Sequence, residues 1–254
     1  MRLRFLSKLL LPRHYHPYWQ LRRIVEEAAK SGVVSGPFKG LCFPSEAAFG
    51  VYFAKVLGTY EAELHPVIQE VINLNFPRII DIGAAEGYYA CGLGRAMQFS
   101  KVIAFEATVR GRYFLHETVE RNQLEDRVAV RGLCEVPQLA ECLENSSEAV
   151  FILCDVEGYE YELLDPLRVP GLVQAAILVE THDFLMKGLS GKLKRRFEST
   201  HIIREIRPRP RRREDFPLAA PGRNWFPDRY FNSFTDDGRP DNNFWLWMTP
   251  RSKV

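Results

Sequence analysis

The 254-residue sequence has no apolar run near the ~18 residues that a membrane-spanning helix requires. Its first apolar stretch lacks a small-residue cleavage site, so no secretory leader is expected. The five cysteines (42, 91, 134, 142 and 154) form no CxxC pair and no zinc spacing with histidine. Cys91 and Cys154 sit in apolar runs and read as buried free thiols, which suits a reducing cytoplasm. There is little charge of either sign to spare: the net charge is +2, which argues for neither a nucleic-acid nor a membrane partner. A Gly-Lys-Ser/Thr phosphate loop is absent, as are the Asn/Asp-Pro-Pro-Tyr/Phe motif of base amino-group methylation and the Pro-Cys nucleophile of carbon methylation. What is present is a chain long enough for one large core with appendages, in soluble globular proportions.

The informative stretch is Arg78-Ile79-Ile80-Asp81-Ile82-Gly83-Ala84-Ala85-Glu86-Gly87-Tyr88-Tyr89. β-Branched residues make 78–82 a short buried strand. Gly83 and Gly87 bracket a tight turn, and 88–98 reads as a helix. A strand, a glycine turn and a helix N-terminus suit a nucleotide-like ligand. A dinucleotide fingerprint wants glycine at 83, 85 and 88, but Ala85 and Tyr88 stand at two of those places. A second strand, 101–106, ends in Glu106, placed about twenty residues past the turn to accept the hydroxyls of a ribose. Asp81 inside the motif favours a cationic ligand over a phosphate. S-adenosylmethionine has a ribose, a sulfonium and an ammonium, and no phosphate.

Around this centre the pattern alternates. Strands are expected at 78–82, 101–106, 128–132, 149–155, 175–181, 200–206 and 243–249, and helices at 88–98, 109–122, 136–144, 160–165 and 188–198. The runs 149–155 and 175–180 are continuously apolar, as in parallel strands covered on both faces. This order gives an α/β, doubly wound sheet. Before it, residues 1–76 read as a helical extension packing on the core of 77–254, with helices at 14–30, 47–57 and 61–74. Thr59 is a candidate cap for the last of these, and Pro66 a kink or restart within it. Met1 to Pro12 mixes basic and apolar residues; it reads as a helix docked on its own domain or a loosely held end, or as a weak peripheral membrane contact.

Ligands in such sheets sit at the carboxyl ends of the strands. Those ends carry Asp81 and Gly83, Glu106, Leu133 and Cys134, Asp155 with Glu157, and Glu180 with His182.

The segments Ile80-Asp81-Ile82-Gly83-Ala84-Ala85-Glu86-Gly87-Tyr88-Tyr89, Ala104-Phe105-Glu106, Asp155-Val156-Glu157-Gly158-Tyr159-Glu160 and Leu178-Val179-Glu180 resemble, in this order, the FkbM-type methyltransferases. The resemblance covers about residues 57 to 182. It implies a Rossmann-like methyltransferase with a seven-stranded sheet of order 3-2-1-4-5-7-6, mostly parallel with the last strand antiparallel. It also implies S-adenosylmethionine as cofactor and methylation of a hydroxyl oxygen on a small-molecule or sugar acceptor. By the same resemblance Asp81, Gly83, Ala84 and Gly87 line the methionine end, Glu106 and its neighbour Ala107 hold the ribose, Leu133 and Cys134 approach the adenine, and Asp155 borders the cofactor. The chain departs from the family pattern at Ala85, Ala107 and Tyr159, where Asn, Pro and Ala are frequent; these departures bear on the substrate.

A hydroxyl acceptor needs a proton acceptor. The candidate catalytic residues are His182 as general base, with Asp155 and Glu180 to orient it. Asp155 and Glu180 at neighbouring strand ends also suit Mg²⁺ ligation, but no metal is assigned. The bland alternatives are a loop histidine and acids favouring the first turn of a helix.

An insertion at about 207–242 holds five arginines within 207–213, followed by Trp225, Phe226, Tyr230 and Phe231, and reads as irregular. It suits a substrate lid, or a solvated charge run. The second functional reading is a nucleic-acid-modifying or nucleic-acid-binding protein using these arginines. A third is a degenerate fold kept for interaction.

Overall fold

The computed structural model describes residues 16–44, 51–144, 148–220, 225–238 and 243–251. The basic-apolar segment Met1 to Pro12 lies outside them. The chain enters through helix α1 (Pro17–Ala29), α2 (Tyr52–Leu57) and α3 (His65–Leu74). Pro66 falls in the first turn of α3, where its missing N–H costs nothing, so it starts that helix rather than kinking it. A short 3₁₀ turn, Ala62–Leu64, precedes it. Thr59 does not cap α3. Its hydroxyl turns back to the Ala54 and Thr235 carbonyls, because the turn and α3 begin later than the sequence suggests.

Then strand and helix alternate: β1 (Arg78–Ile82), α4 (Tyr88–Ala96), β2 (Lys101–Phe105), α5 (Val109–Arg121), β3 (Val128–Arg131), α6 (Val136–Leu143), β4 (Val150–Cys154), the single turn α7 (Glu160–Leu163), β5 (Ala176–Thr181), α8 (Leu189–Phe197) and β6 (His201–Ile206). The insertion carries α9 (Asp228–Thr235), and β7 (Phe244–Pro250) closes the sheet. The expected strands and helices of the core are all present, within one or two residues at their ends. Strand order is β3-β2-β1-β4-β5-β7-β6. Pairings among β1 to β5 are parallel, and β7 runs antiparallel to both β5 and β6. This is the expected seven-stranded Rossmann-like methyltransferase sheet.

The period-2 pleat divides the core in two. Ile79, Phe151, Leu153, Leu178, Trp245 and Trp247 face the N-terminal helices, α4 and the insertion. Ile80, Ile82, Ile152, Cys154, Ile177 and Val179 face α6, α7 and α8. The first face also binds the two appendages together. Phe234 of α9 stacks on Tyr18 with ring centres 5.1 Å apart, and meets Phe53 edge-on at 4.8 Å.

The insertion is therefore not wholly irregular. Tyr230, Phe231 and Phe234 lie at helical spacing, and burying Phe231 and Phe234 drives α9. Four of the five arginines in 207–213 are paired within the chain, while Arg212 is exposed. Arg211 is buried between Glu63 at 2.9 Å and Asp237 at 2.8 Å. Arg207 pairs with Glu205, Arg209 with Asp215, and Arg213 with Asp228. Cys91 and Cys154 are buried free thiols, as expected; Cys134 and Cys142 are buried too.

Candidate active site

The register brings the critical strand ends level. Ile82 of β1 pairs with Phe105 of β2 on one side and Cys154 of β4 on the other, and Cys154 pairs with Val179 of β5. The next residues, Gly83, Glu106, Asp155 and Glu180, are thus level along one edge of the sheet, Glu180 still within β5. The order reverses between β1 and β4, the switch point where doubly wound sheets bind ligands. A cavity of about 660 Å³ opens there.

Gly83 is at φ +88, and a Cβ on it would lie 1.8 Å from the Asp155 carbonyl oxygen. No side chain fits, so glycine at this place lets the turn cross the end of β4. Ala85 (φ 49) and Gly87 (φ 89) continue the turn into α4. The Gly83 and Ala84 N–H groups donate to the Phe105 carbonyl, and the Asp155 N–H to that of Ile82. The wall is thereby tied to both neighbouring strands.

Glu106 is held in place. The Ala85 N–H donates to its Oε2 at 2.9 Å, and the Thr108 N–H and hydroxyl donate to its Oε1 at 2.7 and 2.6 Å. Gly111 in the first turn of α5 makes room, since a Cβ there would come within 2.6 Å of the Glu106 side chain. The carboxylate is thus preorganised before any ligand arrives.

On the other side of Gly83 lies a cluster of acids around one imidazole. His182 is 1% exposed. Its Nδ1 lies 2.5 Å from Glu160 Oε1, which also accepts from the Gly158 N–H at 3.1 Å. A carboxylate accepts, so Nδ1 carries the hydrogen and Nε2 is the free base in the neutral ring. Nε2 faces Glu157 at 3.5 Å, Asp155 at 3.6 Å and Glu180 at 3.8 Å. Glu157 reaches in because Glu157 (φ 51) and Gly158 (φ 101) both take left-handed conformations after β4. For Glu157 that backbone is strained by ~1–3 kcal/mol.

The cluster's charges are strongly displaced. Burial, then the nearby Asp155 charge and a hydrogen bond to it, raise Glu180 to about 10, so Glu180 keeps its proton at neutral pH. Burial also lifts Asp155 to about 6, opposed by His182 and by the hydrogen bond from Glu180. Burial works against the His182 cation, but Glu160, Asp155 and Glu157 outweigh it, and the net shift is upward. Asn243 Nδ2 donates to Glu180 Oε1 at 3.3 Å. Asp155, Glu157 and His182 each offer one atom within 4.8 Å of the others, so they are also close enough to enclose a cation. Glu180 is not in that group.

Of the residues singled out in the sequence, Gly83, Glu106, Ala107, Leu133, Cys134, Asp155, Glu180 and His182 line the one cavity. Asp81, Ala84 and Gly87 stand behind its wall. Asp81 is opposite in the pleat to Ile80 and Ile82 and is 1% exposed. Burial followed by the Asp155 charge raises it to about 7, opposed by the Ala90 N–H. Gly87 packs on α5, where a Cβ would press within 2.6 Å of Leu115. The cavity also takes in Lys55, Tyr60, Asp237 and Asn243, from outside the segments that suggested a site. Glu160 was visible as the last acid of Asp155-Val156-Glu157-Gly158-Tyr159-Glu160; its role as the partner of His182 was not.

No protein-family model and no curated protein matches the sequence. Solved structures do resemble the fold. One assigned as an rRNA methylase, from Clostridium thermocellum, matches with TM-score 0.51 and 10% identity, over 76% of this chain and 97% of that one. One assigned as an O-methyltransferase, from Klebsiella pneumoniae, has TM-score 0.46 and 14% identity, over 97% and 95%. An O-methyltransferase from Bacillus cereus in complex with SAH has TM-score 0.44 and 16% identity, over 81% and 89%. At these identities the likeness is one of fold.

Proposed function

We propose that the chain is an S-adenosylmethionine-dependent methyltransferase acting on a hydroxyl oxygen of a small-molecule or sugar acceptor, in keeping with its resemblance to the FkbM type. One observation carries the reading: a preorganised Glu106 and an imidazole among carboxyl groups share one cavity, on either side of the glycine turn. The donor set fits the cofactor. Glu106 presents a fixed acceptor for ribose hydroxyls, Gly83 and Ala107 leave space, and Leu133 and Cys134 offer an apolar wall for a base. Asp155 borders the methyl-donor end. Asp81, Ala84 and Gly87 support the turn from behind. When bound, the cofactor supplies an electrophilic methyl carbon.

The chain's own residues do the rest. His182 Nε2 takes the proton of the acceptor hydroxyl. The Glu160 hydrogen bond fixes the ring and its tautomer, and Asp155 stabilises the imidazolium that forms. Glu180, protonated, donates to Asp155 and keeps two adjacent carboxyls from both carrying charge.

The arginine-rich run, basis of a nucleic-acid reading, gives that reading less support, because Arg207, Arg209, Arg211 and Arg213 are paired within the chain and only Arg212 of the five is left exposed without an ion pair among the described residues. The test is incubation of the protein with methyl-labelled S-adenosylmethionine and a panel of hydroxylated acceptors. Label on an acceptor oxygen supports the reading; label on RNA alone contradicts it.

A further inference from the structure

Lys55 on α2 is 5% exposed, yet it lines the cavity. Its Nζ lies 2.6 Å from Glu86 Oε1, and Glu86 is wholly buried inside the glycine turn. The Tyr60 ring faces the same ammonium at 4.8 Å. One N–H is directed to Glu86 and the aromatic face steadies the charge, so donor capacity remains toward the cavity.

The charges on the wall are lopsided. Among the described residues lining it, Lys55 is the one lysine or arginine. Carboxylates come from Glu106, Asp155 and Glu157; Glu180 is protonated, and Asp237 is paired with Arg211. A negatively charged ligand group entering such a cavity meets one lysine and is opposed by the ionised carboxylates. The turn also links this cation to the ribose acceptor. Ala85 donates its N–H to Glu106, and the next residue, Glu86, holds Lys55. Two consecutive residues therefore set the positions of an acceptor for hydroxyls and a donor for a carboxylate.

We propose that Lys55 is the binding site for the α-carboxylate of the cofactor's methionine moiety, with the N-terminal helical segment completing the cofactor site. This rests on the S-adenosylmethionine reading above. It makes the segment before the sheet part of the ligand site and not only a cover for the core. It also orients the ligand: ribose at Glu106, amino-acid end at Lys55. The competing role is that Lys55 only neutralises Glu86.

The experiment is calorimetric titration with S-adenosylmethionine and with its decarboxylated form, which keeps the adenosine, sulfonium and amine. The wild-type protein is expected to bind the intact ligand about ten- to a hundredfold more tightly, the range of a charge-assisted hydrogen bond. Lys55→Met should remove most of that difference by weakening the intact ligand alone. Equal wild-type affinities, or an equal loss for both ligands in the variant, would overturn the proposal while leaving the cofactor reading in place. Failure of the wild-type protein to bind either ligand would overturn both. Lys55→Met leaves Glu86 buried without its partner and can unfold the chain. Lys55→Met/Glu86→Gln removes the pair together, and the wild-type comparison stands without any variant.

Discussion

Asp155 and Glu180, at the ends of neighbouring parallel strands, lie side by side in one cavity, and Glu180 holds the proton they would otherwise compete for. The consequence for stability has a definite sign. Glu180 is raised from 4.5 to about 10, so above pH ~5 the folded state binds a proton that the unfolded chain releases. The stability that Glu180 contributes therefore falls as pH rises from 5 to 8. Glu180→Gln lacks this titration. Denaturant melts should show the variant gaining on the wild type by ~1 kcal/mol per pH unit across that window. A constant difference would contradict a protonated Glu180.

His182→Ala should lower turnover by ~10²–10⁴, the usual contribution of a general base, with cofactor affinity nearly unchanged. A loss below about tenfold would mean that the imidazole only shapes the loop. Because His182 is raised above 6.5 and is proposed to act as the neutral base, the rate should climb with pH through a midpoint above 6.5. Glu160→Gln removes the leading upward influence, so the midpoint should move to lower pH. A pH–rate profile with an unmoved midpoint would sever Glu160 from His182.

Treatment with a chelator, followed by desalting, should leave methyl transfer intact, since in the proposed mechanism His182 with Glu160 and Asp155 removes the proton. Loss of activity restored by Mg²⁺ would instead make Asp155, Glu157 and His182 a cation site.

Arg211 joins the N-terminal segment to the insertion through Glu63 and Asp237, and Asp237 lines the cavity. Its side chain is 2% exposed, so Arg211→Met strands two buried carboxyl groups. Stability should fall by ~3–5 kcal/mol, read as a lowered Tm. A Tm within a degree or so of wild type would remove this link from the fold.

Much of this arrangement is legible from local sequence. Ile79, Ile80 and Ile82, the two glycines and Glu106 form the core motif within thirty residues, and the strand-end acids follow from the apolar runs before them. The pleat was legible in principle as well. Asp81 alternates with Ile80 and Ile82, so it turns to the face of α4, where the Ala90 N–H meets it, and does not line the cavity. What lay beyond reach depends on contacts across the fold. Lys55 meets Glu86 over thirty residues of chain, and His182 chooses Glu160 over three nearer-looking acids only once α7 is in place. Helix α9 was hidden by the prolines and glycines around it, although its aromatic spacing was there to read.

The most direct test is calorimetric titration of the purified protein with S-adenosylmethionine at neutral pH, repeated with Glu106→Ala and with NAD as competitor. The expected result is saturable one-to-one binding, weakened in the variant by ~1–3 kcal/mol as hydrogen-bonded hydroxyls lose their acceptor. Absence of binding, or preference for NAD over S-adenosylmethionine, would contradict the assignment of this cavity to the methyl donor.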